Sequence, residues 1–123
     1  MQKDISDFDF LKISPSHKDN KKWDAIFIRK STKKPFIVSF GAKGYLDFPL
    51  YYQYYRTTEN MTPDDALTAA ERKRSFYLNR HKKEDYDNPN NWYKPSFWAK
   101  QYLWGDLPDL NKQLKIMRKR FNF

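Results

Sequence analysis

The residues best equipped for chemistry lie between His81 and Asp87. His81, Glu84, Asp85 and Asp87 place one imidazole and three carboxylates on a short stretch of chain. Such a set could hold a divalent metal or move a proton. The spacing matches no metal-ligand or catalytic motif, and a histidine at a helix end is equally explained by its charge meeting the negative end of the helix dipole. The other histidine, His17, is far away in sequence. No serine occupies a strand-turn-helix elbow. Gly41-Ala42-Lys43-Gly44 lacks the spacing and the trailing Lys-Ser/Thr pair of a phosphate-binding loop, so a tight turn is expected there. The sequence contains no cysteine, which excludes disulfides, thiolate zinc sites and cysteine nucleophiles. No catalytic, metal or cofactor residue is assigned on this basis. A nuclease-like enzyme centred on His81, Glu84 and Asp85 is the weakest of three function classes.

Contact chemistry is better supplied. The 123 residues carry a formal net charge of +9, which favours an anionic partner such as nucleic acid, an anionic membrane surface or an acidic protein. The excess is spread out: residues 1–61 hold 11 basic and 7 acidic side chains, and residues 62–123 hold 13 and 8. Lys112, Lys115, Arg118 and Lys119 fall on the polar side of an amphipathic segment and are the candidate residues for an anionic partner. Phosphate neutralisation by such a face would make binding fall with salt, and exposed Tyr or Trp could stack on bases. No recognised nucleic-acid-binding motif is present. Four tyrosines within five residues, Tyr51, Tyr52, Tyr54 and Tyr55, cannot all face one core. They are the candidate partner interface, because tyrosine couples a large apolar area to a polar tip. The competing reading is a loop wrapped over a sheet with its hydroxyls in water.

These residues need a scaffold. Lys22–Tyr45 clusters β-branched and aromatic residues twice, on either side of the turn Lys30-Ser31-Thr32-Lys33-Lys34, and reads as a β-hairpin. Phe8, Phe10, Leu11 and Ile13 add a brief strand ended by Ser14-Pro15. In the first hairpin strand Trp23, Ala25 and Phe27 share one face, and Asp24, Ile26 and Ile28 share the other, so both faces are expected to be covered. Thr62-Pro63-Asp64-Asp65 starts a helix running to about Lys82. Glu84–Asn91 is a loop. Pro95 opens a short helix stopped by Gly105. Asp106 is expected to cap a last helix carrying Leu107, Leu110, Leu114, Met117 and Phe121 at helical spacing. Aromatics make up 19% of the chain, enough to build the core and to argue against disorder despite the charge.

The expected architecture is one α+β domain over residues 1–123, a small antiparallel sheet of two to three strands packed against about three helices. Residues 1–7 are its candidate flexible end and 46–61 a tyrosine-rich insertion. No stretch approaches a membrane span and the start of the chain has no apolar signal core. A protein that is not secreted, and is soluble in a cell or packed into a particle assembled there, is expected.

Phe40-Gly41-Ala42-Lys43-Gly44-Tyr45-Leu46-Asp47, Tyr77-Leu78-Asn79-Arg80-His81-Lys82-Lys83-Glu84-Asp85, Asn88-Pro89 and Tyr102-Leu103-Trp104 resemble an uncharacterised family of small basic proteins encoded by large nucleocytoplasmic DNA viruses, of the mimivirus and algal-virus type. Ile13-Ser14-Pro15-Ser16 and Lys21-Lys22-Trp23-Asp24-Ala25 fit it too. The resemblance spans Leu11 to Phe121. It implies a hairpin ending in an aromatic-Gly-Ala-x-Gly-Tyr turn, then a Tyr-Leu-x-Arg-His helix and a Leu-Trp helix. Two departures are the insertion Pro49–Asn60 and Trp92-Tyr93-Lys94-Pro95. It implies no catalytic residues. With the residues above, it points to a non-enzymatic structural component of a large DNA virus particle, a minor capsid or internal virion protein produced in the host cytoplasm. Its expected partners are other virion or capsid proteins, or further copies of itself. The alternative is a non-specific nucleic-acid-binding protein using the basic helical face.

Overall fold

The computed structural model describes residues 4–123. Three strands, β1 (Phe8–Pro15), β2 (Lys21–Arg29) and β3 (Pro35–Ala42), form an antiparallel sheet in the order β1-β2-β3. Four α-helices follow: α1 (Phe48–Thr57), α2 (Pro63–Arg80), α3 (Pro95–Trp98) and α4 (Leu110–Phe121). The expected α+β class, with its small antiparallel sheet against helices, is borne out. Of the candidate flexible end, residues 1–3 lie outside the described residues. Ile5–Asp7 forms a 3-10 turn, and Asp7 accepts from Arg29 Nε at 2.7 Å.

The hairpin register pairs Trp23 with Phe40, Ala25 with Val38 and Phe27 with Phe36. One face therefore collects the aromatic and small apolar residues. The turn closes with Lys33 at φ 61 and paired bonds between Arg29 and residues 33 and 34; a left-handed residue ending such a loop matches the right-handed twist of the strands. Phe10 faces Phe27 across β1 and β2, and a bulge at Leu11 shifts the register before Lys12.

The helices cover that face; the other, also expected to be covered, is closed only in part, at Asp24 and Ser39. Trp98 is the hub. Its ring stacks on Phe10 and Phe123 at 5.9 and 5.4 Å and meets Phe27 edge-on. Its indole N–H donates to the Trp92 carbonyl at 2.6 Å, so the polar edge of the ring is satisfied inside the core. On the other face Ile26, Ile28 and Ile37 stand outside the core cluster.

Three local expectations change. The segment 46–61 contains a helix, α1, where a loop wrapped over the sheet had been one reading. Asp47 caps it by accepting from Leu50 N at 3.1 Å, and Pro49 sits in its first turn. This is the same chemistry that starts α2, where Thr62 caps Asp65 N. α2 ends at Arg80, two residues earlier than expected. Asp109, not Asp106, caps α4 by accepting from Lys112 N, so Leu107 lies outside the helix and is exposed.

After α3 the backbone widens into a π-helical turn, Ala99–Leu103, and Gly105 follows. The wide turn places Gln101 and Gln113 together in the interior. Gln113 donates to the Gln101 carbonyl at 2.8 Å and accepts from Leu107 N; Gln101 donates to the Tyr86 carbonyl and to Asp87. No buried side-chain polar atom among the described residues lacks a partner, as a stable interior requires.

Candidate interaction groove

A large concavity lies between α1, the start of α4 and the Trp23 end of β2. It encloses ≈ 840 Å³, and an adjoining hollow of ≈ 510 Å³ shares Trp23, Pro49, Gln53 and Leu110 with it. Volumes of this order are typical of ligand or peptide sites. Among the described residues, four of the eight exposed large apolar side chains line these two hollows: Tyr45, Leu46, Leu50 and Leu107. Scattered exposed apolar residues need no explanation, but a cluster around one groove does.

The wall is rigid by construction. Gly41, near the end of β3, and Gly44, just after it, have φ of 78° and 90°, values that favour glycine where the chain turns. The half-buried Lys22 then ties the turn to β2. Its ammonium donates to Asp47 Oδ2 at 2.9 Å and to the Tyr45 carbonyl. Asp47 is itself buried and caps α1, so one lysine anchors both the turn and the helix start. On the floor, Trp23 meets Tyr102 edge-on at 6.3 Å. Burial pushes the Tyr102 phenol up to about 12, so it is a neutral donor at ordinary pH.

Charge is uneven along the groove. Glu71, Asp106 and Asp109 line the end near α4, with Lys112 as the one base there among the described residues. Asp106 is held by Arg74 and Arg120; Glu71 and Asp109 make no ion pair among the described residues. Lys43 lies beside Tyr45 at the opposite end.

The structure brings only part of the expected site together. Tyr52 and Lys112 both line the groove. Tyr51 and Tyr55 are half-buried and stack on one another; Tyr51 also meets Trp104, which stacks on Tyr77 of α2 at 4.5 Å. These two tyrosines bind α1 to the rest of the fold. Tyr54 alone of the four is exposed, and its hydroxyl donates to Glu59. On α4, Lys112, Lys115, Arg118 and Lys119 are all exposed. Arg118 lies 5.4 Å over the Phe10 ring, while the three lysines make no ion pair among the described residues.

Around His81 the groups are spent locally. His81 Nδ1 is 3.3 Å from Glu84, and its ring packs on Tyr77 at 4.4 Å. Asp85 accepts from Asn88, and Asp87 from Lys100 and Gln101. The Lys100 bond holds the Asp87 carboxyl below its usual range. Among the described residues no three potential metal ligands converge.

Sequence reasoning missed the densest polar cluster, around Asp24. This carboxylate is 3% exposed, on the sheet face away from the helices. It accepts from Ser16 Oγ at 2.6 Å, Ser39 Oγ at 2.7 Å, His17 N at 3.0 Å and His17 Nδ1 at 2.6 Å. Burial opposes its charge, but the His17, Ser16 and Ser39 bonds prevail and hold it well below the usual carboxylate range. Since the ionised carboxylate only accepts, His17 Nδ1 carries the proton. The signal was present in Trp23-Asp24-Ala25-Ile26-Phe27-Ile28, one acid inside an apolar strand. The cluster pins the β1–β2 loop to the sheet, and both of its serine hydroxyls donate to the same carboxylate oxygen.

Comparison with protein-family models, with curated proteins and with solved structures finds no match for this chain. No helix among the described residues is long and apolar enough to cross a membrane.

Proposed function

We propose that this chain is a contact protein, not a catalyst: a structural component of a large DNA virus particle, as a minor capsid or internal virion protein. The observation that supports the contact role is the convergence of Tyr45, Leu46, Leu50 and Leu107 on a groove with a pinned wall. An aromatic presented on a rigid turn loses little freedom on binding, which is how interface anchors reach high affinity. The viral setting rests on the sequence resemblance, and the net charge of +9 suits acidic neighbours. The test has two parts. A photo-crosslinking residue at Leu50 should yield a protein adduct in producing cells, whereas the same residue at exposed Phe76 should not. The chain should also be recovered in stoichiometric amounts from purified, DNA-depleted particle shells; its absence there removes the virion assignment.

A second reading is favoured by one specific observation: Lys112, Lys115 and Lys119 are exposed on one helix without ion pairs among the described residues. On that reading α4 binds nucleic-acid phosphates without sequence preference. Binding to arbitrary DNA would then fall steeply with salt, and each lysine removed would lower the log–log slope by about one. Salt-independent or absent binding refutes it.

A further inference from the structure

We infer that a second copy of this chain occupies the groove, in a closed two-fold dimer where each copy inserts its Tyr45 turn into the groove of the other. This rests on the contact reading above and names its partner.

Three observations carry it. First, projection and cavity share one face. Tyr45 is, among the described residues, the most exposed large apolar one, at 73%, and lines the hollow that shares Trp23, Pro49, Gln53 and Leu110 with the main groove. A two-fold axis requires one surface to be complementary to itself, and an aromatic projection beside a hole of aromatic and aliphatic lining meets that requirement. Rings or filaments would need the two on different faces.

Second, the charges are complementary under the same operation. Lys43 precedes the Tyr45 projection, while Glu71 and Asp109 wait at the far end of the groove without ion-pair partners among the described residues. Insertion carries the Lys43 of each copy toward those acids of the other. Asp106 is already held by Arg74 and Arg120 and contributes little. Lys112, the one base lining that end among the described residues, leaves the acids in excess.

Third, the size fits. Fifteen residues line the groove and eleven the hollow, four of them in common, so 22 residues form the face. Stable interfaces use roughly 20–30 residues a side, about a tenth of a small protein's surface. The turn is also preorganised by Gly41, Gly44 and the two Lys22 bonds, which reduces the ordering cost of association.

The test is sedimentation equilibrium of the full chain over a wide concentration range. The mass should double with concentration. Tyr45→Ser, a change at an exposed position, should raise the dissociation constant at least about tenfold, the scale of losing one aromatic anchor. Lys43→Glu and Glu71→Lys should each weaken self-association, because each sets like charges together twice in the dimer. Mixing the two variants should restore it as a heterodimer, since both contacts are then opposite in sign. The double variant in a single chain should also recover. Circular dichroism of each variant confirms folding. A chain that stays monomeric throughout, or a dimer indifferent to Lys43→Glu and Glu71→Lys, overturns the inference. If the purified chain is monomeric yet the Leu50 crosslinker captures a different protein in cells, the two-fold dimer fails and the contact role stands. If neither self-association nor crosslinking occurs, both fail.

Discussion

Replacing Asp24 is the sharpest probe of how this sheet is held. Its carboxylate accepts four hydrogen bonds while 3% exposed. Asp24→Ala removes all four acceptor contacts. The two serine hydroxyls can rotate toward other acceptors and the His17 ring, 58% exposed, can turn to water, while the His17 backbone N–H loses the partner it points at. Hydrogen bonds to a charged group are worth about 1.5–3 kcal/mol each, and the solvent reach of His17 discounts its share. The expected total is about 2–3 kcal/mol, or a fall in Tm of roughly 10 °C for a chain of this length. Asp24→Asn should behave differently. Its carbonyl oxygen can take the Oδ2 place and keep both His17 bonds. Its amide can donate to the serine oxygens, which reverse their roles. Only the charge assistance is lost, about 1–2 kcal/mol. The pH dependence separates the two causes. Asp24 is held below its ordinary range in the folded state, so its contribution is complete above the unfolded value of about 4. It is lost as pH falls from there through the lower folded value, because the unfolded chain takes up the proton first. Asp7 and Asp87 also lie low, so the measured quantity is the difference in slope between the native chain and Asp24→Asn. Urea unfolding from pH 7 to pH 3, followed by tryptophan fluorescence, provides it. Equal slopes for the two proteins, or an Asp24→Ala cost under about 1 kcal/mol at pH 7, would refute the account of Asp24 as the clamp of the β1–β2 loop.

Gly105→Ala should cost about 3 kcal/mol in urea unfolding, because its new Cβ would lie 2.5 Å from the Gln101 carbonyl and 2.1 Å from the Gln113 amide in the interior. Gly44→Ala meets nothing within 4 Å but must hold φ at 90°, so a smaller loss of about 1–2 kcal/mol from backbone strain alone is expected. Thr62→Ala should cost about 1 kcal/mol by removing the cap of α2, with no change in the folded spectrum. Spectrophotometric titration should find two of the nine tyrosines ionising near 12 or only on unfolding, and Tyr77→Phe and Tyr102→Phe should each remove one. Burial raises both phenols, so stability present below pH 10 falls as pH rises toward 12.

The strands were legible because β-branched and aromatic residues cluster in Trp23–Ile28 and Pro35–Phe40 and the turn residues between them are polar. α2 was legible because Thr62-Pro63-Asp64-Asp65 satisfies three start rules together. α1 has the same start in Asp47-Phe48-Pro49, yet the four tyrosines that follow are middling helix formers, and their crowding drew attention to exposure. The structure resolves the crowding by splitting them: Tyr51 and Tyr55, one turn apart, face Trp104 and α2, Tyr52 faces the groove, and Tyr54 faces outward. Helical spacing of this kind is readable only once the segment is known to be a helix. The misplaced cap of α4 has a similar origin. Asp106 and Asp109 are equally good caps by type; Arg74 and Arg120 claim Asp106 from elsewhere in the chain, and no local rule reports that. The groove was not legible at all, because Tyr45, Leu50 and Leu107 meet only through packing of α1 and α4.

The same packing makes the groove informative. One sheet face consumes Phe8, Phe10, Phe27, Phe36 and Phe40 against Trp92, Trp98 and Phe123. That layer is the aromatic centre of the core, and the interior around it is closed by paired glutamines without orphaned polar atoms among the described residues. Nothing in the core therefore requires Tyr45, Leu46, Leu50 or Leu107 to be apolar. Lysine or glutamate would serve as well there for the fold in a chain that is 32% charged. Apolar side chains in water, placed together on a turn that one lysine and two glycines hold still, make physical sense as a surface waiting to be covered. The outer isoleucines Ile26 and Ile37 are different: they sit in register on neighbouring strands, where β-branched residues stabilise the sheet by pairing with each other. Their exposure has a local cause, whereas that of the groove residues does not.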